Sequence, residues 1–336
     1  MSDILQKRNT IYGVCAIWIV LFHVFRRIGS PFIPVITNVI SIGNVAVDIF
    51  FFLSGLCLSL SVEKHHYDKI GWKLFFKRRI TRVLIPYLII GIPYFVWASV
   101  FERSGSIVNR FVYFCANISS ATFWIKGTQT TWFVYGILLF YLLFPLINTF
   151  VRKAATWKKI AVLVCIIIFA VITSYIPILQ NSTIVWARLP IFYIGVIAGT
   201  GSYYKKTISK SVMIISCIVA VLLGSLVSVS ELLDLFAIPQ VYRFLLYIPL
   251  SLALLMVTVP IKRIRLFELF GSMSLEIYLV HITLLHPLKQ FGYIDLLGNW
   301  LYLILPVISL MISWLILMCE NLILKKGKQN ESIQHI

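Results

Sequence analysis

Four ionisable side chains lie inside long apolar segments of the chain: His23, Asp48, Glu276 and His281. Ionisable groups at membrane depth are costly and usually functional. An imidazole is the side chain best suited to take a proton from a hydroxyl near neutral pH. If the helices that carry these residues adjoin, the four side chains could line one polar cavity in the outer half of a membrane. The sequence therefore makes His23, Asp48 and Glu276 the candidate catalytic residues.

A purely structural interpretation exists for each of these residues. A single histidine in an apolar helix often serves only as a hydrogen-bonded packing residue. Asp48 could cap a helix or pair with an outer-edge arginine such as Arg26 or Arg188. Glu276 and His281 could form hydrogen bonds to neighbouring helices. Both interpretations stay open at this point.

A basic segment, KRRITR, occupies residues 77–82. Arg79 and Arg82 are three positions apart, so on a helix they occupy neighbouring positions of one face. Two guanidinium groups on one face suit a multiply charged phosphate, which they can bind through paired hydrogen bonds. We therefore expect Arg79 and Arg82, with the adjacent Arg78, to bind an anionic ligand. The alternative is that the segment only anchors the third span at the membrane surface.

The elements that position these residues are predicted to be membrane-spanning helices. Of the 336 residues, 60% are apolar and 12% are charged, whereas a water-soluble domain carries about 25% charged residues. A span needs about 20 mostly apolar residues. The predicted spans are 10–27, 43–62, 82–101, 131–151, 159–177, 186–203, 210–229, 242–260, 267–287 and 299–324. We expect an all-α polytopic bundle of about ten transmembrane helices that forms one domain over 1–325. The stretch 104–130 is expected to be an interfacial or re-entrant loop, and 326–336 a short polar cytoplasmic tail.

The distribution of positive charge predicts the orientation of the bundle. When alternate connecting segments are assigned to opposite sides, the 30 lysines and arginines divide 22 to 8. The richer side is expected to be cytoplasmic and to hold both termini. The net charge of +18 is thereby explained by topology and by contact with anionic membrane lipids. No nucleic-acid partner is expected.

Several of these segments resemble a known family. Residues 47–55, VDIFFFLSG, resemble the VDLFFVLSG run after the first span of the third acyltransferase family, a group of bacterial membrane enzymes that O-acylate sugars and cell-envelope polymers. The resemblance covers nearly the whole chain in the family's order, and the family usually has ten spans. The other matching positions are His23, Arg79-x-x-Arg82, Thr131-Trp132-Phe133 with Tyr141 and Pro145, Arg188-Leu-Pro-Ile-Phe192 with Gly195, and Gly271-Ser-Met-Ser-Leu-Glu276-Ile-Tyr278-Leu-Val-His281.

The resemblance implies an integral O-acyltransferase of the bacterial plasma membrane. The donor would be a cytoplasmic acyl-CoA, usually acetyl-CoA, and no cofactor would be permanently bound. The acceptor would be a hydroxyl of an envelope polysaccharide or lipid-linked glycan on the outer side. His23 matches the family's catalytic histidine, and Arg79 and Arg82 match its donor-side motif. A thioester is already activated, so no metal is expected.

One position departs from the family pattern. The family usually has an arginine eleven residues before the histidine, and this chain has Tyr12 there, with Arg8 fifteen residues before His23. Since a helix turns about 100° per residue, both spacings return near the same face. Arg8 could therefore replace the missing arginine from a shallower position, or Tyr12 could make a different donor contact.

Two other classes of function remain open. A secondary transporter or flippase of envelope glycans would also place ionisable residues at mid-membrane, although transporters often show internal repeats with broken helices. No convincing repeat relates the two halves of this sequence. A structural partner in a glycan-assembly complex is the third possibility.

Overall fold

The computed structural model describes residues 2–65, 71–127, 130–200, 209–233, 240–258, 260 and 262–333. The regular elements in these ranges are all helical, as the sequence predicts. In chain order they are α1 (Ser2–Gln6), α2 (Arg8–Ile28), α3 (Pro34–Ser41), α4 (Val45–His65), α5 (Trp72–Phe101), α6 (Ile107–Ile118), α7 (Ala121–Lys126), α8 (Trp132–Lys153), α9 (Thr156–Thr173), α10 (Pro177–Gln180), α11 (Thr183–Trp186), α12 (Leu189–Gly199), α13 (Lys210–Leu233), α14 (Gln240–Val257), α15 (Arg265–Ser272), α16 (Ser274–Gln290), α17 (Tyr293–Leu297) and α18 (Leu301–Ile333), with a 3₁₀ turn at Gly298–Trp300.

The long helices confirm a polytopic membrane bundle. Among the described residues, eight helices are long and apolar enough to cross a membrane: α2, α4, α5, α8, α9, α13, α14, and α18 with the short α17 before it. The ninth predicted span is a pair, α15 and α16, bent by 69°. The sixth is a shorter apolar segment, Thr183–Gly199. We call the end of the bundle where α2 begins the inner end, and the opposite end the outer end.

Two boundaries differ from the sequence prediction. Helix α5 begins at Trp72, ten residues before the predicted start of the third span, so the basic segment 77–82 is itself helical. Long basic side chains allow this, because their alkyl stems cover apolar surface while the charged ends reach water. At the other end of the chain, α18 runs on to Ile333, into the segment predicted to be a polar tail.

The described part of the stretch 104–130, which leaves out 128 and 129, contains two short helices, which agrees with an interfacial location. Ser106 caps α6 by accepting a hydrogen bond from the Asn109 backbone N–H. Helix α6 leaves Ile107 83% exposed and Phe111 65% exposed, although both side chains are apolar. Such a face suits the lipid boundary rather than water.

Glycines set the closest helix approaches and thereby position the site. A Cβ on Gly13 of α2 would overlap the carbonyl of Phe267 in α15, and one on Gly271 would overlap the carbonyl of Asn9. Only helices without side chains at these points can approach so closely. The end of α15 is therefore pressed against the first turns of α2, and the helix that follows the bend places Glu276 in the lining of a cavity that Arg8 also lines.

Candidate functional site

A cavity of about 170 Å³ lies towards the inner end, between α2, α4, α5, α8 and the bend that joins α15 to α16. Its inner part is polar and its deeper part is apolar. The lining side chains that carry hydrogen-bonding or charged groups are Arg8, Asn9, Tyr12, Ser54, Arg79, Arg82, Tyr141, Ser272, Ser274, Glu276 and Tyr278. The apolar lining includes Ile19, Val47 and Phe133.

Three guanidinium groups line this one cavity. Arg79 and Arg82 reach it from α5, and Arg8 reaches it from the first turn of α2. Arg79 Nη2 donates to Ser61 Oγ at 2.9 Å, and Arg8 Nη1 lies 3.7 Å from Cys57 Sγ. Both contacts tie an arginine to the inner half of α4. The cavity therefore concentrates positive charge where an anionic group could enter from the inner end.

The structure separates Arg78 from its neighbours. Arg78 is exposed and does not belong to the lining of the cavity that Arg79 and Arg82 share. The structure therefore places Arg79 and Arg82 together at the cavity and leaves Arg78 outside its lining.

Arg8 and Tyr12, four residues apart on one face of α2, both line the cavity. The Tyr12 ring stacks on Phe50 of α4, with 5.2 Å between ring centroids and 20° between planes. The position where the family resemblance expects an arginine is thus filled by a stacked ring, and a guanidinium lies one turn closer to the inner end.

A second acidic residue accompanies Glu276. Glu276 is 6% exposed and lines the cavity. Glu320 of α18 is 8% exposed, and its Oε1 has no hydrogen-bond partner within the described part of the chain. Glu320 interacts electrostatically with Glu276 and Arg82. Sequence reasoning missed Glu320, although a single carboxylate inside the last apolar span was a signal that could have found it.

The two histidines from α2 and α16 contact each other. The rings of His23 and His281 have centroids 5.2 Å apart and planes tilted by 42°. His281 Nδ1 lies 2.9 Å from the Ile277 carbonyl oxygen, a contact that assigns the proton to Nδ1 and leaves Nε2 as an acceptor. His281 is fully buried, and Nε2 lacks a hydrogen-bond partner among the described atoms.

The histidine pair lies one helical turn beyond the deep end of the cavity. His23 follows Ile19 by four residues on α2, and His281 follows Tyr278 by three on α16; both Ile19 and Tyr278 line the cavity. A turn of helix rises about 5.4 Å. An acyl group that entered the cavity from the inner end would therefore approach His23.

Asp48 lies in a separate, buried ion pair. Its Oδ2 is 3.7 Å from Arg188 Nε, and neither side chain is exposed. The Arg188 guanidinium carbon lies 3.7 Å from the centroid of the Phe244 ring, and Trp132 and Tyr247 are also near it. Removing one partner of a buried pair leaves an uncompensated charge, which is strongly destabilising. This geometry matches the structural alternative for Asp48.

The expected single cavity in the outer half, shared by all four ionisable residues, is therefore wrong. Glu276 faces the inner cavity, Asp48 pairs with Arg188, and His23 and His281 form a pair between the two ends. The linear sequence placed each residue at a depth, but the direction of each side chain depends on how its helix is rotated in the bundle.

Comparisons with known proteins link the chain to acyltransferases. The family model described as an acyltransferase domain matches residues 11–318. A relative named Acyltransferase MdmB, from Streptomyces mycarofaciens, is 28% identical over 171 residues, which cover 46% of this chain and 41% of the relative. The match thus spans less than half of that relative's length. No solved structure matches the chain significantly.

Proposed function

This chain belongs to the acyltransferase family whose model it matches, and from that premise we propose that it transfers an acyl group, in the first instance acetyl, from coenzyme A to a hydroxyl of an envelope polysaccharide or lipid-linked glycan. The donor enters from the cytoplasm at the inner end, and the acceptor is presented at the outer end. The protein spans the bacterial plasma membrane with both termini in the cytoplasm.

The convergence of Arg8, Arg79 and Arg82 on one cavity is the observation that carries the proposal. Coenzyme A bears a 3′-phosphate and a pyrophosphate, and guanidinium groups bind such oxygens through paired, directional hydrogen bonds. The deeper wall of the same cavity is apolar, which suits the uncharged pantetheine arm and the thioester. The charged end of the cavity thus matches the phosphates of the donor, and the apolar end matches its uncharged arm.

The transfer step assigns a role to His23. A ring nitrogen of His23 takes the proton of the acceptor hydroxyl while the hydroxyl oxygen attacks the thioester carbonyl. The C–S bond then breaks, and the leaving thiolate takes that proton from the imidazolium. General-base catalysis of this kind contributes about 10²–10⁴-fold to the rate. His281 acts as a positioning residue through its ring contact with His23.

Radiolabelled acetyl-CoA and the purified full chain in lipid nanodiscs test this function. We expect donor hydrolysis, and label transfer when membrane glycans are added. His23→Ala should reduce both by about 10²–10⁴-fold, whereas His65→Ala, at the inner end of α4, should leave them unchanged. Absence of both transfer and hydrolysis in the parent protein would exclude the enzyme.

One observation favours the transporter alternative. The ninth span is broken by a 69° bend between α15 and α16, and broken helices are common at transporter binding sites. The same labelled assay separates the two functions, because a flippase moves its glycan without consuming acetyl-CoA.

A further inference from the structure

A second cleft, of about 290 Å³, lies at the outer end and is lined by Arg27, Glu102, His286, Lys289 and Gln290. These residues come from the last turns of α2 and α16 and from the residue that follows α5. The volume is near the lower bound of ligand pockets, about 300–1,000 Å³. The cleft therefore has room for a small ligand.

The polar groups of this cleft offer both donors and acceptors. His286 Nδ1 lies 3.8 Å from Glu102 Oε1, and His286 Nε2 lies 3.5 Å from Thr130 Oγ1. Gln290 Nε2 donates to the Phe101 carbonyl oxygen at 3.3 Å, which leaves its amide oxygen available. Hydroxyl groups both donate and accept hydrogen bonds, so a ligand with several hydroxyls matches this mixture better than a simple anion or cation.

Aromatic rings lie directly beside the polar groups. The Trp97 ring is 6.1 Å from Phe101, and Phe101 is 6.0 Å from Phe291, centroid to centroid. Tyr94 contacts the His286 ring edge to face at 5.8 Å. Phe101 and Phe291 are both more than half exposed. The electron-rich face of an aromatic ring attracts positively polarised hydrogens, and one face of a pyranose ring is a surface of such C–H groups.

The cleft adjoins the histidine pair. Arg27 is four residues after His23, so the two occupy one face of α2 on successive turns. Arg27 also interacts electrostatically with both His23 and His286. The inner cavity ends one turn before the histidine pair, and the cleft begins about one turn after it. A ligand bound in the cleft is therefore placed on the far side of His23 from the donor cavity.

We propose that this cleft binds a sugar ring of the acceptor, with the rings of Phe101 and Phe291 against its C–H face and Glu102 and Gln290 bonded to its hydroxyls. The inference rests on the proposed function, since it names the acceptor subsite of that reaction. Arg27 and Lys289 face a single carboxylate, Glu102, so the cleft is net positive. A sugar that carries a carboxylate binds more tightly than its neutral counterpart.

Saturation-transfer NMR with two matched sugars tests this assignment. The probes are methyl β-D-glucopyranoside and methyl β-D-glucopyranosiduronic acid, added to the full chain in nanodiscs made of zwitterionic lipid. We expect signal transfer to both, with the uronic acid binding about tenfold more tightly through one charge-assisted hydrogen bond. Lys289→Gln should remove that preference, and Phe291→Ala should weaken both probes.

Matched controls are available at the same end of the bundle. Lys126 and Phe111 are exposed outer-end residues away from the cleft, so Lys126→Gln and Phe111→Ala should change neither affinity. If Phe291→Ala behaves like Phe111→Ala, the rings are only an interfacial aromatic belt, and the assignment is overturned. Absence of saturation transfer in protein that still hydrolyses acetyl-CoA overturns the cleft alone. Sugar binding without any donor hydrolysis would refute the proposed function instead.

Discussion

Replacing Arg79 or Arg82 by lysine should weaken coenzyme A binding without altering net charge or membrane orientation. Both guanidinium groups line the inner cavity, and the contact between Arg79 Nη2 and Ser61 Oγ, 2.9 Å long, holds one edge of Arg79 while leaving its other N–H groups for a ligand. A lysine keeps the charge but offers a single point of contact in place of a paired one. The lysine side chain at position 79 is also shorter, so it would lose the hydrogen bond to Ser61 that fixes the direction of the Arg79 side chain.

The expected magnitude follows from one lost hydrogen bond. A hydrogen bond to a charged group contributes about 1.5–3 kcal/mol, and every 1.4 kcal/mol is tenfold in affinity. Because Arg79 is only partly buried and Arg82 is exposed, the lower part of that range applies. We therefore expect the Kd for coenzyme A to rise about tenfold for each single variant.

Calorimetric titration of the detergent-purified variants with coenzyme A measures this change. Arg78→Lys is the matched control, since Arg78 is on the same helix but outside the cavity lining, and its Kd should match that of the parent. Binding should also weaken with added salt, because part of the attraction is screened over about 8–10 Å. If both cavity variants bind like the parent, the basic segment only anchors α5, and the assignment of the donor site is refuted.

Further outcomes can be measured on the same preparation. Arg8→Ala should impair acyl transfer strongly, and adding Tyr12→Arg in a double variant should partly restore it. If Arg8→Ala leaves the rate of acyl transfer unchanged, Arg8 only helps to set the orientation of the protein in the membrane. Gly271→Ala should lower the free energy of unfolding by about 1–3 kcal/mol through overpacking against α2. Gly224→Ala should not, because an added Cβ there meets nothing closer than 3.5 Å. Equal thermal stability of the two variants would contradict the close approach of α15 to α2. A tag after Ser104 should be reached only from outside and one between α8 and α9 only from the cytoplasm, and finding both on one side would overturn the predicted orientation.

The sequence predicted the spans well because lipid imposes a simple rule on each helix. Every backbone polar group must be satisfied within a segment long enough to cross the membrane, so local hydropathy identifies the helices without knowledge of their partners. The shared orientation of Arg79 and Arg82 was predictable for a similar reason, since it depends only on helical spacing. The shared cavity of Arg8 and Tyr12 depends on the same local geometry.

Features that depend on pairs of helices could not be read in the same way. The ion pair between Asp48 and Arg188 joins residues that are far apart in sequence, and the sequence offered Arg26 equally well. The bend at Met273 lies directly after the segment of α15 that packs on α2 through Gly13 and Gly271, and no local pattern shows this packing. The contact between His23 and His281 depends on the rotation of two helices about their own axes. Each of these features depends on how two helices pack against each other, and the hydropathy of the sequence does not determine that.

The bend in the ninth span connects the two halves of the proposed reaction. Because Gly13 and Gly271 let α15 lie against the first turns of α2, α15 cannot continue straight through the bundle at that position. The chain turns by 69°, and the space left on the inner side of the turn is the arginine-lined cavity. The same turn directs α16 along α2, so that His281 meets His23 deeper in the bundle and His286 faces the outer cleft. A single broken helix thus contributes Glu276 to the donor cavity, His281 to the histidine pair and His286 to the proposed acceptor subsite.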